Sequence, residues 1–286
     1  DPEALKLRGL ALLGLGRAGE AIQPLERAVH LQPDSAQAKL ALARAYVEAG
    51  DFARAEGLCS QLISLDPTNA EVHGLLAQLH AARGELNSAL DEVMYALAHQ
   101  PSNPQLVLLK AELLARRGAE VAALQEIAHA VELAPNDSVT LGKAAQLLAQ
   151  LGHLEEALAH AQRAAALNPR DYRRQLHTAE LALQLGRAPL AVEAADRACA
   201  LAPRELTCLR VAVQAHEAAG DLAGAAQCAR TALSIAPGDE WFRAALVRSL
   251  RQKGELDAAE EALSAWPERE ITPPLQLELA RLRRAK

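Results

Sequence analysis

Apolar residues recur along this chain at helical spacing, in segments that are separated by short polar links. Residues 36–49 and 52–65 are two such segments, and each places its apolar side chains on one side of an α-helix. A glycine separates the two segments, and a proline follows the second one. The pattern predicts a pair of amphipathic helices, because glycine favours the end of the first helix and proline stops the second.

This pattern returns every 34 residues. Glycines keep that interval from Gly16 to Gly254, prolines keep it from Pro33 to Pro237, and an alanine lies five residues after each of these glycines. Three columns that share one period predict stacked supersecondary units. We predict eight tandem units in residues 1–267, with boundaries near residues 1, 35, 69, 103, 137, 171, 205 and 239. For residues 268–286 we predict a linker and then a capping helix or a truncated ninth unit.

Two further columns explain how each unit would hold together. The residue two positions after each proline is expected to cap the next helix, and six of the seven residues in this column are strong N-caps. The column consists of Ser35, Asn69, Asn103, Asp137, Asp171, Glu205 and Asp239. Small residues lie mostly seven before and twelve after each turn glycine, where they would let the two helices approach closely. The predicted fold class is therefore an all-α solenoid.

Residues 41–67 show the resemblance to a known family most clearly, in the stretch ALARAYVEAGDFARAEGLCSQLISLDP. Its small, aromatic, glycine, alanine and proline positions are filled by Ala43, Tyr46, Gly50, Ala55 and Pro67. This spacing resembles the tetratricopeptide repeat (TPR), and the match extends over residues 2–267 without an insertion. The other units depart from it at the aromatic position, where they carry leucine, histidine or alanine. The resemblance implies a right-handed α-solenoid whose first helices line a concave groove for a protein or peptide.

Composition and charge exclude several functional classes. Only 2% of the residues are aromatic, and the formal net charge is −6. No basic stripe with interleaved aromatic residues is present, which argues against a nucleic-acid surface. No apolar run approaches 18 residues, so we predict no direct membrane span. Because the chain begins with Asp1 rather than Met, we expect a fragment or a processed product, and its compartment stays open between cytoplasm and periplasm.

The sequence offers little catalytic chemistry. It contains no phosphate-binding loop and no zinc-protease or nucleophile-elbow motif, so we predict no catalytic residues and no enzyme. His73 and His80 are seven residues apart, a spacing that could serve a metal ion, but no third ligand recurs beside them. We therefore predict no metal and no cofactor. The four cysteines are expected to be small core residues, with a bridge between Cys199 and Cys208 as the alternative.

The groove implied by the family resemblance gives the candidate site. Groove positions would lie thirteen, ten, six and three residues before each turn glycine, on one stripe of the first helix. Long polar residues fill the position six before the glycine, and leucines alternate with glycines at the position ten before it. The predicted partner-binding residues are Arg44, Gln78, Leu108, Glu112, Gln146, Arg173, Leu176, Glu180, Arg210, Gln214, Arg248 and Arg251. The alternative is that this polar column is only a solvated face.

These observations favour a non-catalytic scaffold that binds a peptide segment or a partner protein, as a module of a larger bacterial protein. Four of the predicted residues, Arg173, Arg210, Arg248 and Arg251, would bias the C-terminal part of the groove toward an acidic partner. Two alternatives stay open. One is an assembly or regulatory domain of an exopolysaccharide export or glycosyltransferase system, where similar arrays occur. The other is a structural scaffold that self-associates through its end units.

Overall fold

The computed structural model describes residues 1–264 and 280–281. Within these residues the chain is all-α, and its regular elements are sixteen α-helices. They are α1 (Pro2–Gly14), α2 (Ala18–Leu31), α3 (Ala36–Ala49), α4 (Phe52–Leu65), α5 (Ala70–Ala82), α6 (Leu86–His99), α7 (Pro104–Arg116), α8 (Glu120–Leu133), α9 (Ser138–Gln150), α10 (Leu154–Leu167), α11 (Tyr172–Gln184), α12 (Ala188–Leu201), α13 (Leu206–Ala218), α14 (Leu222–Ile235), α15 (Glu240–Lys253) and α16 (Leu256–Ser264).

The helices group into two compact units. The first, Asp1–Pro135, contains α1–α8, and the second, Asn136–Lys286, contains α9–α16 among its described residues. In both units each odd-numbered helix packs against the even-numbered helix that follows it, as a helix–turn–helix pair. Odd-numbered helices also contact each other, for example α3 with α5 and α13 with α15. The observed fold class is an all-α helical solenoid, as predicted.

The turn glycines end the first helix of each pair as predicted. Gly50 has φ 80° and ψ 11°, a left-handed conformation that costs other residues free energy. The Gly50 N–H donates to the Val47 carbonyl at 3.1 Å, and the Asp51 N–H donates to the Tyr46 carbonyl at 2.8 Å. This pair of bonds is a Schellman motif, which satisfies carbonyls at the end of α3. Asp51 then caps α4 by accepting a hydrogen bond from the Arg54 N–H.

The predicted N-caps are confirmed at all seven positions. Each side chain accepts a hydrogen bond from a backbone N–H two or three residues later, which satisfies a donor at the helix start. The seven capping residues are Ser35, Asn69, Asn103, Asp137, Asp171, Glu205 and Asp239. Glu205 forms a long bond of this kind, at 3.4 Å to the Thr207 N–H.

The core follows the columns of small residues. The alanines five residues after each turn glycine have no exposed surface, so the second helix of each pair lies directly against its neighbours there. They are Ala21, Ala55, Ala89, Ala123, Ala157, Ala191, Ala225 and Ala259. Larger side chains, such as Leu25 and Phe242, are fully buried around these contacts. The packing is therefore built on close helix approach, with leucines filling the remaining space.

All four cysteines are free thiols, so the alternative bridge between Cys199 and Cys208 is not formed. Cys59 and Cys208 are buried, while Cys199 and Cys228 are partly buried. Burial raises the pKa of the Cys199 thiol to about 12, which keeps it protonated and unreactive at neutral pH.

Two predictions about organisation are not decided by these observations. The division of residues 1–267 into eight units stays a prediction. The predicted linker and the capping helix or ninth unit of residues 268–286 lie outside the described residues, except for residues 280–281. In the described part of the chain, the helices are too short or too polar to cross a bilayer.

We predict that the cap of α9 makes stability depend on pH. Asp137 Oδ2 accepts hydrogen bonds from the Thr140 hydroxyl at 2.6 Å and from the Thr140 N–H at 2.8 Å. The hydroxyl bond is the largest cause of the lowered pKa of Asp137. The stabilisation that ionised Asp137 contributes to folding is therefore complete above about pH 3.9, the ordinary pKa of an aspartate. It is lost as the pH falls below that value and through the lowered pKa of Asp137 in the folded chain.

The measurement is urea unfolding of the native chain and of Asp137→Asn, which keeps a capping side chain but cannot ionise. The free energy of unfolding of the native chain should exceed that of the variant by a constant amount near neutral pH. This difference should shrink below about pH 3.9. A difference in the free energy of unfolding that stays constant down to the acid transition would contradict the lowered pKa of Asp137.

Candidate partner-binding face

The odd-numbered helices carry the candidate site on what we call the first-helix face. It consists of the side chains thirteen, ten, six and three residues before each turn glycine, and it is described for each compact unit separately. Six of the twelve predicted residues are exposed on it, namely Arg44, Gln78, Gln146, Arg173, Arg210 and Gln214. Five others are half-buried, namely Glu112, Leu176, Glu180, Arg248 and Arg251. Leu108 is buried.

Leu108 is a correction to the predicted partner-binding residues. Its side chain is 1% exposed, so it packs in the interior of the first unit and does not line the face. The space beside the glycines at this position, Gly74 and Gly142, is filled as well. A Cβ atom on Gly74 would lie 3.1 Å from Leu106 Cδ2, and one on Gly142 would overlap the Arg174 guanidinium. At Gly74 and Gly142, side chains from the start of the next first helix lie over the position ten before the turn glycine.

In the first unit the face joins neighbouring helices by an ion pair. Arg44 on α3 lies 3.6 Å from Glu71 on α5, and both side chains are about half exposed. Such an exposed pair contributes at most about 1 kcal/mol to stability. It therefore orients two side chains of the face more than it holds the helices together.

A pocket of about 300 Å³ opens beside this ion pair. Its apolar wall includes Leu40, Leu62 and Val72, and its polar lining includes Gln37, Asp66, Thr68, Asn69, Glu71 and Gln100. Asp66 is fixed by hydrogen bonds from the Thr68 hydroxyl and N–H to its Oδ1 atom, which lower the pKa of its carboxyl. The pocket lies between the N-terminal parts of α3 and α5, and it could hold one side chain of a partner.

In the second unit, Arg210 is held on the face by aromatic rings. Its guanidinium carbon lies 4.9 Å from the centre of the Trp241 ring and 5.6 Å from that of Phe242. A guanidinium over an aromatic face is attracted by the ring electrons and is held in a defined orientation. Its nearest carboxylate, Asp239, is 3.7 Å away, which is longer than a hydrogen bond.

Arg248 has a different role. Its Nε and Nη2 atoms donate to the two carboxylate oxygens of Glu217, at 2.9 and 3.1 Å. This two-point bond joins α15 to α13 and compensates the charge of Arg248. The positive bias that the sequence suggested for the C-terminal groove is thus reduced at Arg248. On α11, burial raises the pKa of Glu180, which disfavours its negative charge.

The sequence prediction missed several residues that shape the face, because it selected individual long side chains. Glu71 and Trp241 both lie thirteen before a turn glycine, and Glu217 lies three before one. These columns are visible in the sequence and could have identified them. In the described residues, no three His, Cys, Asp or Glu side chains come together in a way that suits a metal ion.

The stacked helix pairs, with one polar face on the first helices, define a helical-repeat protein. One family model for the tetratricopeptide repeat matches residues 12–79, 47–94 and 217–282, and a second matches residues 75–138 and 143–205. The chain belongs to the tetratricopeptide repeat family. This membership supports a scaffold for protein–protein interactions, a class whose members are generally non-catalytic. No curated protein sequence matches the chain.

Several solved structures share the fold. The Cut9–Hcn1 hetero-tetramer of APC/C aligns with a TM-score of 0.59 at 17% identity, over 86% of this chain and 48% of that one. A thermophilic TPR protein of Thermus thermophilus gives 0.58 at 24% identity, over 64% and 100% of the two chains. PilF of Pseudomonas aeruginosa gives 0.56 at 19% identity, over 74% and 96%. The chain spans about half the length of the first structure, and at these identities the likeness concerns the fold alone.

The burial of Leu108 leads to a second prediction. Leu108→Ala should lower the free energy of unfolding by roughly 2–5 kcal/mol, because it leaves a cavity in the core. A control in the same unit is Val121→Ala, since Val121 is 72% exposed and its truncation should change stability by no more than about 0.5 kcal/mol. Urea unfolding monitored by circular dichroism compares the three proteins. If both substitutions had equally small effects, the interior position of Leu108 would be wrong.

Proposed function

We propose that the chain is an interaction module of a larger bacterial protein and that it binds an acidic peptide segment on the first-helix face. The single observation that carries this proposal is the Arg210 guanidinium stacked on Trp241. Members of the family generally serve as scaffolds for protein–protein interactions, which supports a peptide or protein as the ligand.

The exposed polar column supplies the general part of such a site. Gln146 and Gln214 are exposed on the second unit, one on α9 and the other on α13, at equivalent positions of their helices. An amide side chain can both donate to a peptide carbonyl and accept from a peptide N–H. Amide side chains that recur on successive helices can therefore form hydrogen bonds along the main chain of a bound peptide, whatever its sequence.

Arg210 supplies the preference for negative charge. Its side chain is 48% exposed, so a partner can reach it. Asp239 caps α15 through its Oδ1 atom, which accepts from the Trp241 and Phe242 N–H groups, and its Oδ2 atom stays 3.7 Å from the guanidinium. The guanidinium is oriented by the rings beneath it, which lowers the entropy lost when it binds a carboxylate at two points.

The hydrogen bonds of the arginines support an order of importance among them. Arg248 already has a two-point bond to Glu217, so a partner would have to displace that carboxylate. Arg210 has no hydrogen-bonded carboxylate of this kind among the described residues, and its closest one stays at 3.7 Å. We therefore expect acidic ligands to depend on Arg210 more strongly than on Arg248.

The test begins with a display selection of random 12-residue peptides on the purified chain, followed by affinity measurements on an enriched peptide by fluorescence anisotropy. Enriched peptides should be rich in Asp and Glu. Arg210→Glu should weaken binding about tenfold or more, because it replaces attraction by repulsion. Trp241→Ala should weaken binding as well, since it removes the surface that orients the guanidinium.

A matched control is Arg197→Glu. Arg197 lies on α12, a second helix, is 61% exposed, and pairs only with Glu193 one turn away, so its reversal should leave the affinity within about twofold. Circular dichroism shows whether each variant keeps its helical content. Enrichment of neutral or basic peptides, or equal affinities of the Arg210 and Arg197 variants, would rule the proposal out.

A further inference from the structure

The pocket between the N-terminal parts of α3 and α5 combines an apolar wall with two carboxylates. The wall includes Leu40 and Leu62, and the carboxylates belong to Asp66 and Glu71. Its volume of about 300 Å³ is at the lower end of the range for small-molecule sites, so it is large enough for one side chain. A side chain that suits both parts of this lining is apolar along its length and positively charged at its end.

The charges around the pocket leave one carboxylate without a direct ion pair. Glu71 lies 3.6 Å from Arg44, and both side chains are about half exposed. Asp66 Oδ1 accepts from the Thr68 hydroxyl at 2.8 Å and from the Thr68 N–H at 3.0 Å, and both of these donors are uncharged. No lysine, arginine or histidine of the described residues forms an ion pair with Asp66. The pocket therefore carries a negative charge that is available to a cation from outside.

A lysine of the chain fills the equivalent place one repeat earlier. Lys6 on α1 is ten residues before its turn glycine, the position that Leu40 has in α3. Its Nζ atom lies 3.0 Å from both Glu3 Oε1 and Gln37 Oε1, and its side chain is only 12% exposed. Glu3 and Gln37 are both thirteen before a turn glycine, and the next residue of this column, Glu71, lines the pocket. The fold thus already accommodates an ammonium group between neighbouring residues of the column.

Cations of the chain occupy related places in the second unit as well. The Arg174 guanidinium lies over Gly142, where a Cβ atom would overlap it. Arg210, ten before its turn glycine, lies 3.7 Å from the Asp239 carboxylate. Between α3 and α5 the residue at this position is Leu40, which carries no charge. The carboxylates of the pocket therefore lack the cation that this position supplies elsewhere.

We propose that the pocket between α3 and α5 binds a basic side chain of a partner protein, with lysine as the closest match to Lys6. The aliphatic part of the bound side chain lies along Leu40 and Leu62, and its charged end reaches Asp66 and Glu71. The partner thus supplies the charge that the chain itself supplies one repeat earlier.

This site is separate from the proposed acidic-peptide contact at Arg210, because the two lie on different compact units. A pocket for one side chain fixes one position of a ligand and not its net charge. A ligand that is acidic as a whole can therefore still carry the basic residue that the pocket binds.

The test is a titration of the full chain with N-acetyl-lysine-N-methylamide, followed through the backbone amide signals in nitrogen-15 NMR spectra. We expect saturable shifts of the signals of residues 37–40 and 66–72. The dissociation constant should be in the millimolar range, because a single side chain makes few contacts. The matching norleucine derivative has the same aliphatic chain without the ammonium group, and it should cause no such shifts at equal concentration.

Three variants locate the binding. Asp66→Asn keeps the acceptor for Thr68 but removes the carboxylate charge, so it should weaken binding of the lysine derivative about fivefold or more. Asp91→Asn is the matched control, because Asp91 is exposed on α6 and does not line the pocket, and the affinity should stay within about twofold. Leu40→Lys introduces a lysine at the position of Lys6 and should prevent binding, while circular dichroism shows that the helices are kept.

Three results would overturn this proposal. They are equal shifts with the lysine and norleucine derivatives, equal affinities of the Asp66 and Asp91 variants, and pocket signals that do not respond to the lysine derivative. None of them bears on Arg210, whose contact is measured with acidic peptides. A failure of the acidic-peptide test would likewise leave the lysine titration to be decided on its own.

Discussion

The close approach of neighbouring helices at small residues is the constraint on which the rest of this structure depends. Alanines at 34-residue intervals, from Ala21 to Ala259, are completely buried where second helices meet their neighbours. A larger side chain at such a contact would force the helices apart, and overpacking typically costs about 1–3 kcal/mol. Because the contact recurs in every pair, the spacing of the turns and caps is fixed along with it. The repeat in the sequence is therefore a repeat of one packing contact.

That constraint also determines what the surface can do. With each pair packed in the same way, equivalent side chains of successive first helices fall on one face, where they pair across helices. Arg44 reaches Glu71, and Arg248 reaches Glu217. Such pairs orient side chains on the face, but they also compensate charges that could otherwise interact with a ligand. Arg210 also lies 3.7 Å from a carboxylate, that of Asp239, but its guanidinium is in addition stacked on aromatic rings. The chemistry proposed for the face depends on this difference.

Spacing alone predicted the parts of the molecule that depend on local backbone chemistry. Gly50 ends its helix in the left-handed conformation and Asn69 caps the next one, as expected from residue type. The same reasoning was wrong for Leu108, which is buried and does not lie on the exposed face. The spacing also could not predict which carboxylate each arginine contacts, because these contacts depend on the rotamers of side chains on neighbouring helices.

The central claim is that 34 residues form one packing unit, and a deletion of that length tests it most directly. Removing residues 69–102 joins Thr68 to Asn103, so an asparagine cap again follows the threonine. We expect this shortened chain to keep its helical circular dichroism per residue and to unfold cooperatively. Removing residues 69–85, half a period, should abolish both properties, because it leaves a second helix without its partner. If the two deletions were equally disruptive, the repeat would not be the unit of packing.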